Sequence, residues 1–194
     1  MKKWIPIAAI LAIIVLWAVF ANNSLVSMDE DMNEQWANVE SSYQRRADLI
    51  PNIVSTAKGY AEFEKETLTA VIEARSKATA VTIDPSNITP EQLAQFEKVQ
   101  GSLNSALARL LAVFERYPDL KANENFKELI NELERTENRI NVERIKYNEV
   151  VNPYNSKIRT IPTSLIANML GFEKRAYFES AQGTEVAPVV DFSE

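Results

Sequence analysis

Neither cysteine nor histidine occurs anywhere in the 194 residues. The first absence excludes disulfides and thiol chemistry. The second removes the commonest general base, the usual zinc, haem and copper ligands, and the side chain that senses pH near neutrality. Glycine is scarce, at 4 residues, so phosphate-binding and dinucleotide-binding loops are absent. A basic stripe is missing too: the net charge is −6, which repels a polyanion on average and argues against nucleic acid as a partner. A di-iron bundle needs Glu-x-x-His helices, and Glu64 is the only acid close to an apolar stripe. The expectation is therefore a non-enzyme with no catalytic residue, no metal and no cofactor.

What the chain does have is one long apolar run. Residues 4–21, WIPIAAILAIIVLWAVFA, contain 18 residues and no charge. As a helix rising about 1.5 Å per residue they reach roughly 27 Å, close to the thickness of a hydrocarbon core. Met1, Lys2 and Lys3 before such a run also open a secretory signal peptide, and Val19-Phe20-Ala21 offers a cleavage site. The run is longer than a signal core and sets Trp17 and Phe20 where small residues are preferred. The favoured reading is a retained span with Trp4 and Trp17 as interfacial anchors. Lys2 and Lys3 precede the span, and the first charges after it are Asp29, Glu30, Asp31 and Glu34. The positive-inside rule then puts the N-terminus in the cytoplasm and the body outside. The expected divisions are residues 1–21 as lysines and anchor, 22–179 as the body, and 180–194 as a disordered tail.

From Leu25 to Ala78 apolar residues recur at steps of three and four, with a seven-residue step between Ala61 and Leu68. This is the stripe of a single long helix. Pro51 lies within it, and a kink there keeps the stripe in phase; the alternative is a hairpin with Asp48 capping a new helix. Residues 79–89, TAVTIDPSNIT, read as a loop, and Thr89-Pro90-Glu91-Gln92 as a capping box that starts a second helix. Leu93, Phe96, Val99, Leu103, Leu107, Leu110 and Phe114 face inward there, and Pro118 closes it. Asn123 caps a third helix with Phe126, Leu129, Ile130, Leu133, Ile140, Ile145 and Val151 inward. Its outer face pairs Glu124 with Lys127, Glu132 with Arg135, and Glu143 with Lys146. Pro153 bends or ends it, and Thr163 to Leu170 makes a short fourth helix stopped by Gly171. The fold class is all-α: an N-terminal single transmembrane helix, then an antiparallel up-and-down bundle of three long helices plus a short fourth. The first helix projects beyond its partners toward the membrane.

The most information-dense stretch is residues 44–52, QRRADLIPN, which sets two arginines, an acid, a proline and an amide at one point of a helix. It resembles the signature of the LemA family. Matching pieces follow in order: Trp36 with Val39, Lys58-Gly59-Tyr60 with Glu64, Ala74-Arg75, Tyr147-Asn148, Tyr154-Asn155, Ile161-Pro162, Gly171-Phe172 and Tyr177-Phe178. The chain departs from the family at Phe63, where many members carry histidine, and at Pro153. The resemblance implies a single-pass bacterial membrane protein with a four-helix up-and-down bundle, in a family linked to envelope stress, proteolysis and organised membrane compartments. It also implies the opposite orientation, with the body in the cytoplasm.

Arg45, Arg46, Asp48 and Asn52 are the candidate partner-docking residues, since a guanidinium takes a carboxylate or lipid phosphate in a fork. The competing structural reading has this group satisfy carbonyls freed by Pro51, with Pro51 and Pro153 as structural kinks. Asp48 is placed to pair with Arg45 or Asn52. The expected function is a membrane-anchored scaffold or adaptor that presents a rigid bundle to membrane or envelope proteins, held in the bilayer by residues 4–21. The alternatives are a self-assembling, membrane-organising protein that buries the Leu25 to Ile50 stripe against copies of itself, and an accessory factor to a membrane protease.

Overall fold

A computed structural model describes residues 4–59 and 64–179. Lys2, Lys3, Tyr60, Phe63 and the 180–194 tail lie outside the described residues. Six α-helices and no strand occur among those described: α1 (Ile5–Lys58), α2 (Lys65–Thr79), α3 (Pro90–Phe114), α4 (Pro118–Ala122), α5 (Glu124–Arg159) and α6 (Thr163–Leu170). The all-α class and the apolar N-terminal helix are as expected, and α1 is long and apolar enough to cross a membrane.

Helix α1 passes through Asn22-Asn23-Ser24 and Pro51 without interruption for 54 residues. Cleavage after Ala21 would therefore cut inside a helix, at a residue already buried in the body. The stripe does not continue to Ala78 on the same helix. It stops at Lys58, where the Gly59 amide bonds back to the Thr56 carbonyl, and the seven-residue gap in the apolar stripe marks that break. Helix α5 likewise continues past Pro153 to Arg159 rather than ending there.

Cross-helix bonds give the directions. Gln35 and Arg46 on α1 bond Glu143 and Glu137 on α5 at 2.8 and 2.6 Å, so α5 runs antiparallel to α1. Arg116 reaches Glu64 at 2.9 Å and Gln100 reaches the Ala78 carbonyl at 3.4 Å, so α2 is antiparallel to the helix that follows it, α3. In the half far from the apolar run, α1, α2, α3 and α5 form an up-down-up-down bundle around Ile50, Ile53, Val71, Leu110, Phe126 and Leu133. In the near half α2 is gone. Its place is filled by the 80–89 loop, which inserts Ile83 and Ile88, and by the extended 172–179 segment, which inserts Ala176 and Phe178.

The expected caps are present. Thr89 and Gln92 form the reciprocal capping box, Asn123 accepts from the Phe126 amide at 2.9 Å, and Gly171 takes the left-handed conformation at φ 79° that ends α6. All three i,i+3 ion pairs on α5 form. Two inward assignments are corrected: Ile145 is exposed, and on α3 the buried position is Gln100 rather than Val99.

Pro51 has no N–H, which leaves the carbonyl of Ala47 without its intrahelical donor. Arg75 of α2 supplies one, its Nε donating to that oxygen at 2.7 Å. The carbonyl freed by Pro51 is thus satisfied from a different helix, and the vacancy pins α2 against α1. Replacing Arg75 with Ala should cost about 1 to 3 kcal/mol, the penalty of a buried acceptor left unpaired. Pro51→Ala restores the local donor and should remove most of that cost. A double-mutant cycle on urea midpoints measures the coupling; additive effects would refute it.

Candidate functional site

Two apolar clusters fill the bundle, one reaching Tyr43, Phe96 and Ile140, the other beginning at Ile50, Leu103 and Leu133. The layer between them is polar. Arg46 sits there with an exposure of 0%. Its Nη1 donates to Glu137 Oε1 at 2.6 Å and to Asn104 Oδ1, and its Nη2 donates to Gln100 Oε1 at 2.5 Å. The guanidinium carbon also lies 5.1 Å from the centre of the Tyr43 ring. Gln100 hands the connection on through its bond to the Ala78 carbonyl, so one arginine ties α1, α3 and α5 directly and α2 through an intermediary. A buried ion pair contributes little net stability against apolar packing, but an unpaired charge is costly. The layer therefore penalises any sliding of α5 that would separate Glu137 from Arg46.

A second buried arginine closes the near half. Arg175, in the 172–179 segment, donates to Asp29 Oδ1 on α1 at 2.6 Å. The segment's backbone is held by two asparagines seven residues apart on α5. Asn155 gives its Nδ2 to the Arg175 carbonyl and takes the Arg175 amide on Oδ1, both at 2.9 Å. Asn148 does the same to Phe178, at 2.8 and 2.9 Å. Tyr154 adds a bond to the Glu173 carbonyl at 3.0 Å. These pairs replace the ladder that a neighbouring strand would provide. Phe178 then stacks on Trp36 at 5.8 Å, meets Tyr147 edge-on at 5.5 Å, and carries the Arg144 guanidinium 4.6 Å from its ring centre.

Burial dominates the electrostatics of this half. It pushes the Tyr147 hydroxyl up to about 12 against the opposing pull of Arg175, and raises Tyr43 and Tyr154 in the same way. Desolvation also raises Glu97 despite its ion pair with Arg144, whereas hydrogen bonds from Gln35 and Lys146 lower Glu143.

The four residues proposed for docking separate. Arg46 has no surface to offer a partner: its Nη donors are spent inside the bundle. Arg45, Asp48 and Asn52 are exposed, and Asp48 accepts from Gln44 at 2.8 Å rather than from Arg45 or Asn52. Neither arginine nor Asp48 satisfies the Ala47 carbonyl, which belongs to Arg75. Arg45 also lies about 36 Å along α1 from Ala21 at the usual helical rise, so the motif stands well away from the end of the apolar run.

Residues 35–192 match the model described as LemA family. The chain belongs to the LemA family. It is 28% identical over 176 residues to Protein LemA of Metamycoplasma hominis, covering 89% of this chain and 76% of that one. It is 27% identical over 198 residues to Magnetosome protein MamQ 2 of Paramagnetospirillum magneticum, covering 90% and 73%. It is likewise 27% identical over 197 residues to Magnetosome protein MamQ of Magnetospirillum gryphiswaldense, covering 89% and 72%. Helix α1 gives this LemA-family chain a segment long and apolar enough to cross a membrane.

Sequence reading missed Gln100 and Arg175 as buried residues, and Glu137 and Arg144 as half-buried ones. Gln100, Glu137 and Arg144 left a signal. Trp36, Val39, Tyr43, Arg46, Ile50, Ile53 and Ala57 follow alternating steps of three and four, as do Leu93, Phe96, Gln100, Leu103 and Leu107, and Ile130, Leu133, Glu137, Ile140, Arg144 and Tyr147. Polar residues in core phase mark a buried polar layer. Tracing the α1 stripe through Ala47, and the α3 stripe through Val99, hid that exception.

Proposed function

We propose that this LemA-family chain is a membrane-anchored, non-enzymatic scaffold or adaptor that presents a rigid bundle to protein partners at the bacterial membrane. One observation carries the reading: α1 is unbroken from the apolar run to Lys58. The body is thereby a rigid continuation of its own anchor, and its far end is held at a set distance from the bilayer. Arg45, Asp48 and Asn52 are exposed on that far half. Asn52 also lines a groove of about 490 Å³ with Leu49, Leu129 and Arg135. Such a mixture of apolar floor and polar rim suits a protein surface better than a lipid headgroup, and the separation along α1 argues the same way. The relatives named as magnetosome proteins favour a role in membrane organisation, and action beside a membrane protease is one form such an adaptor takes. Self-assembly through the Leu25 to Ile50 stripe is not carried forward, because Leu25, Met32, Trp36, Val39, Tyr43 and Ile50 are buried within the chain's own bundle.

The charge flanking the span favours a body outside the cytoplasmic membrane. The absence of cysteine makes one experiment serve both points. A single Cys at Asn52 is treated with a membrane-impermeant, photoactivatable maleimide in intact spheroplasts or protoplasts. The expected result is labelling from outside and crosslinking to a small set of proteins. Arg45→Ala with Asp48→Ala should lower that capture several-fold while leaving the melting temperature unchanged. Random neighbours, or capture indifferent to those substitutions, would count against the scaffold. Labelling only after the membrane is opened would place the body in the cytoplasm.

A further inference from the structure

Eight large apolar side chains are exposed beyond residue 21 among the described residues, and four of them, Ile161, Leu165, Met169 and Leu170, fall within ten consecutive positions. Exposed apolar residues scattered singly need no explanation, but this cluster does. Leu165 and Met169 are spaced four apart on α6, so they share one face of it, and Ile161 is exposed in the turn that leads into the helix. Ala167, on the opposite side, is buried in the bundle core. Helix α6 is thus largely inverted relative to an ordinary surface helix: Ala167 is its buried residue, Ile166 is half-buried, and Leu165, Met169 and Leu170, three of its four large apolar residues, are exposed.

Position identifies the occupant. Lys157, at the end of α5, bonds Ser24 Oγ, three residues past the apolar run. Because α1 and α5 are antiparallel, the corner at residues 160–162 lies level with the last residues of that run. Helix α6 packs on both α1 and α5. Within the run from residue 5 to 20, Trp17 and Ala18 alone are half-buried, so the body reaches down to the span itself. Lys157 and Arg159 immediately precede the corner, cations at the height of anionic headgroups.

We propose that α6 lies in the membrane interface, inserting Ile161, Leu165, Met169 and Leu170 among the lipids beside the span. The inference rests on residues 4–21 crossing the bilayer. It adds a second attachment point, at the far end of the chain from the first, and two points set the tilt of the body where a single helix leaves it free to swing.

The test uses the full chain in vesicles of phosphatidylethanolamine and phosphatidylglycerol, with a nitroxide on one introduced cysteine at a time. Leu165→Cys and Met169→Cys report α6, Ile14→Cys reports the span, and Asn138→Cys reports an exposed site on α5. Collision with oxygen relative to a water-soluble nickel chelate should be several-fold higher at 165 and 169 than at 138, approaching the value at 14. Oxygen contact at 14 with nickel contact at 165 and 169 would overturn the α6 proposal and leave the span intact. Nickel contact at 14 as well would remove the span reading and this inference with it. Spin broadening at 165 that vanishes on dilution with unlabelled chain would show that a second copy, not lipid, covers the face.

Discussion

Arg46→Ala should severely loosen the bundle, with an expected loss of about 2 to 5 kcal/mol, the range for truncating a large, fully buried side chain to alanine. The substitution deletes the Arg46 hydrogen bonds to Glu137, Gln100 and Asn104 and opens a cavity between the two apolar clusters. Against a typical domain stability of about 5 to 15 kcal/mol, that is a large share of the whole. The loss follows from the cavity and from the buried Gln100 oxygen left without its donor, since Asn104 is exposed and Glu137 is a third exposed. Replacing the layer together, Arg46→Met with Gln100→Leu and Glu137→Leu, should therefore recover most of the stability. Urea unfolding in detergent, followed by far-ultraviolet circular dichroism, measures both variants. A stable Arg46→Ala protein would refute the buried layer. The same result separates Arg46 from its neighbour: Arg45→Ala should leave the unfolding midpoint unchanged, since its side chain is exposed.

Asn155→Ala should release the 172–179 segment. The amide and carbonyl of Arg175 each lose a partner, at about 1 to 3 kcal/mol for each buried group left unpaired. With that clasp gone, the Asp29 bond to Arg175 and the seat of Phe178 against Trp36 lose their support. Trypsin provides a direct reading, because Lys174 and Arg175 sit inside the segment. Native wild-type protein should be cut there slowly and the variant many times faster, while α1 and α5 stay intact. Asn148→Ala should act in the same direction through Phe178. Equal cleavage of wild type and Asn155→Ala would mean that the asparagine pairs do not hold the segment.

The legible parts of this fold are those governed by local chemistry. The charge-free run, the capping box at Thr89, the cap at Asn123, the stop at Gly171 and the ion pairs along α5 each depend on residues within a few positions of one another, and each is present. The candidate site was legible only as a motif. QRRADLIPN announced that something unusual happens on α1, but a sequence motif does not say which of two adjacent arginines turns inward. Adjacent positions on a helix diverge by about 100°, and the choice rests on which one meets Glu137 and Gln100 from helices far away in the chain.

By itself the sequence determined that this chain is helical, that it carries an apolar run long enough to cross a membrane, and where most helices start and stop, because propensity, capping and hydrophobic period act over a turn or two. Only the tertiary structure decided the rest. It made Arg75 the donor for the carbonyl that Pro51 leaves open, turned Arg46 into an interior tie between helices, folded the chain back after Gly59, and threaded residues 172–179 into the space that α2 does not fill. The reason is common to all four. Periodicity states which face of a helix avoids water, whereas a buried polar group or a gap in the core is satisfied by whatever the fold brings to it, and that partner lies tens of residues away or more.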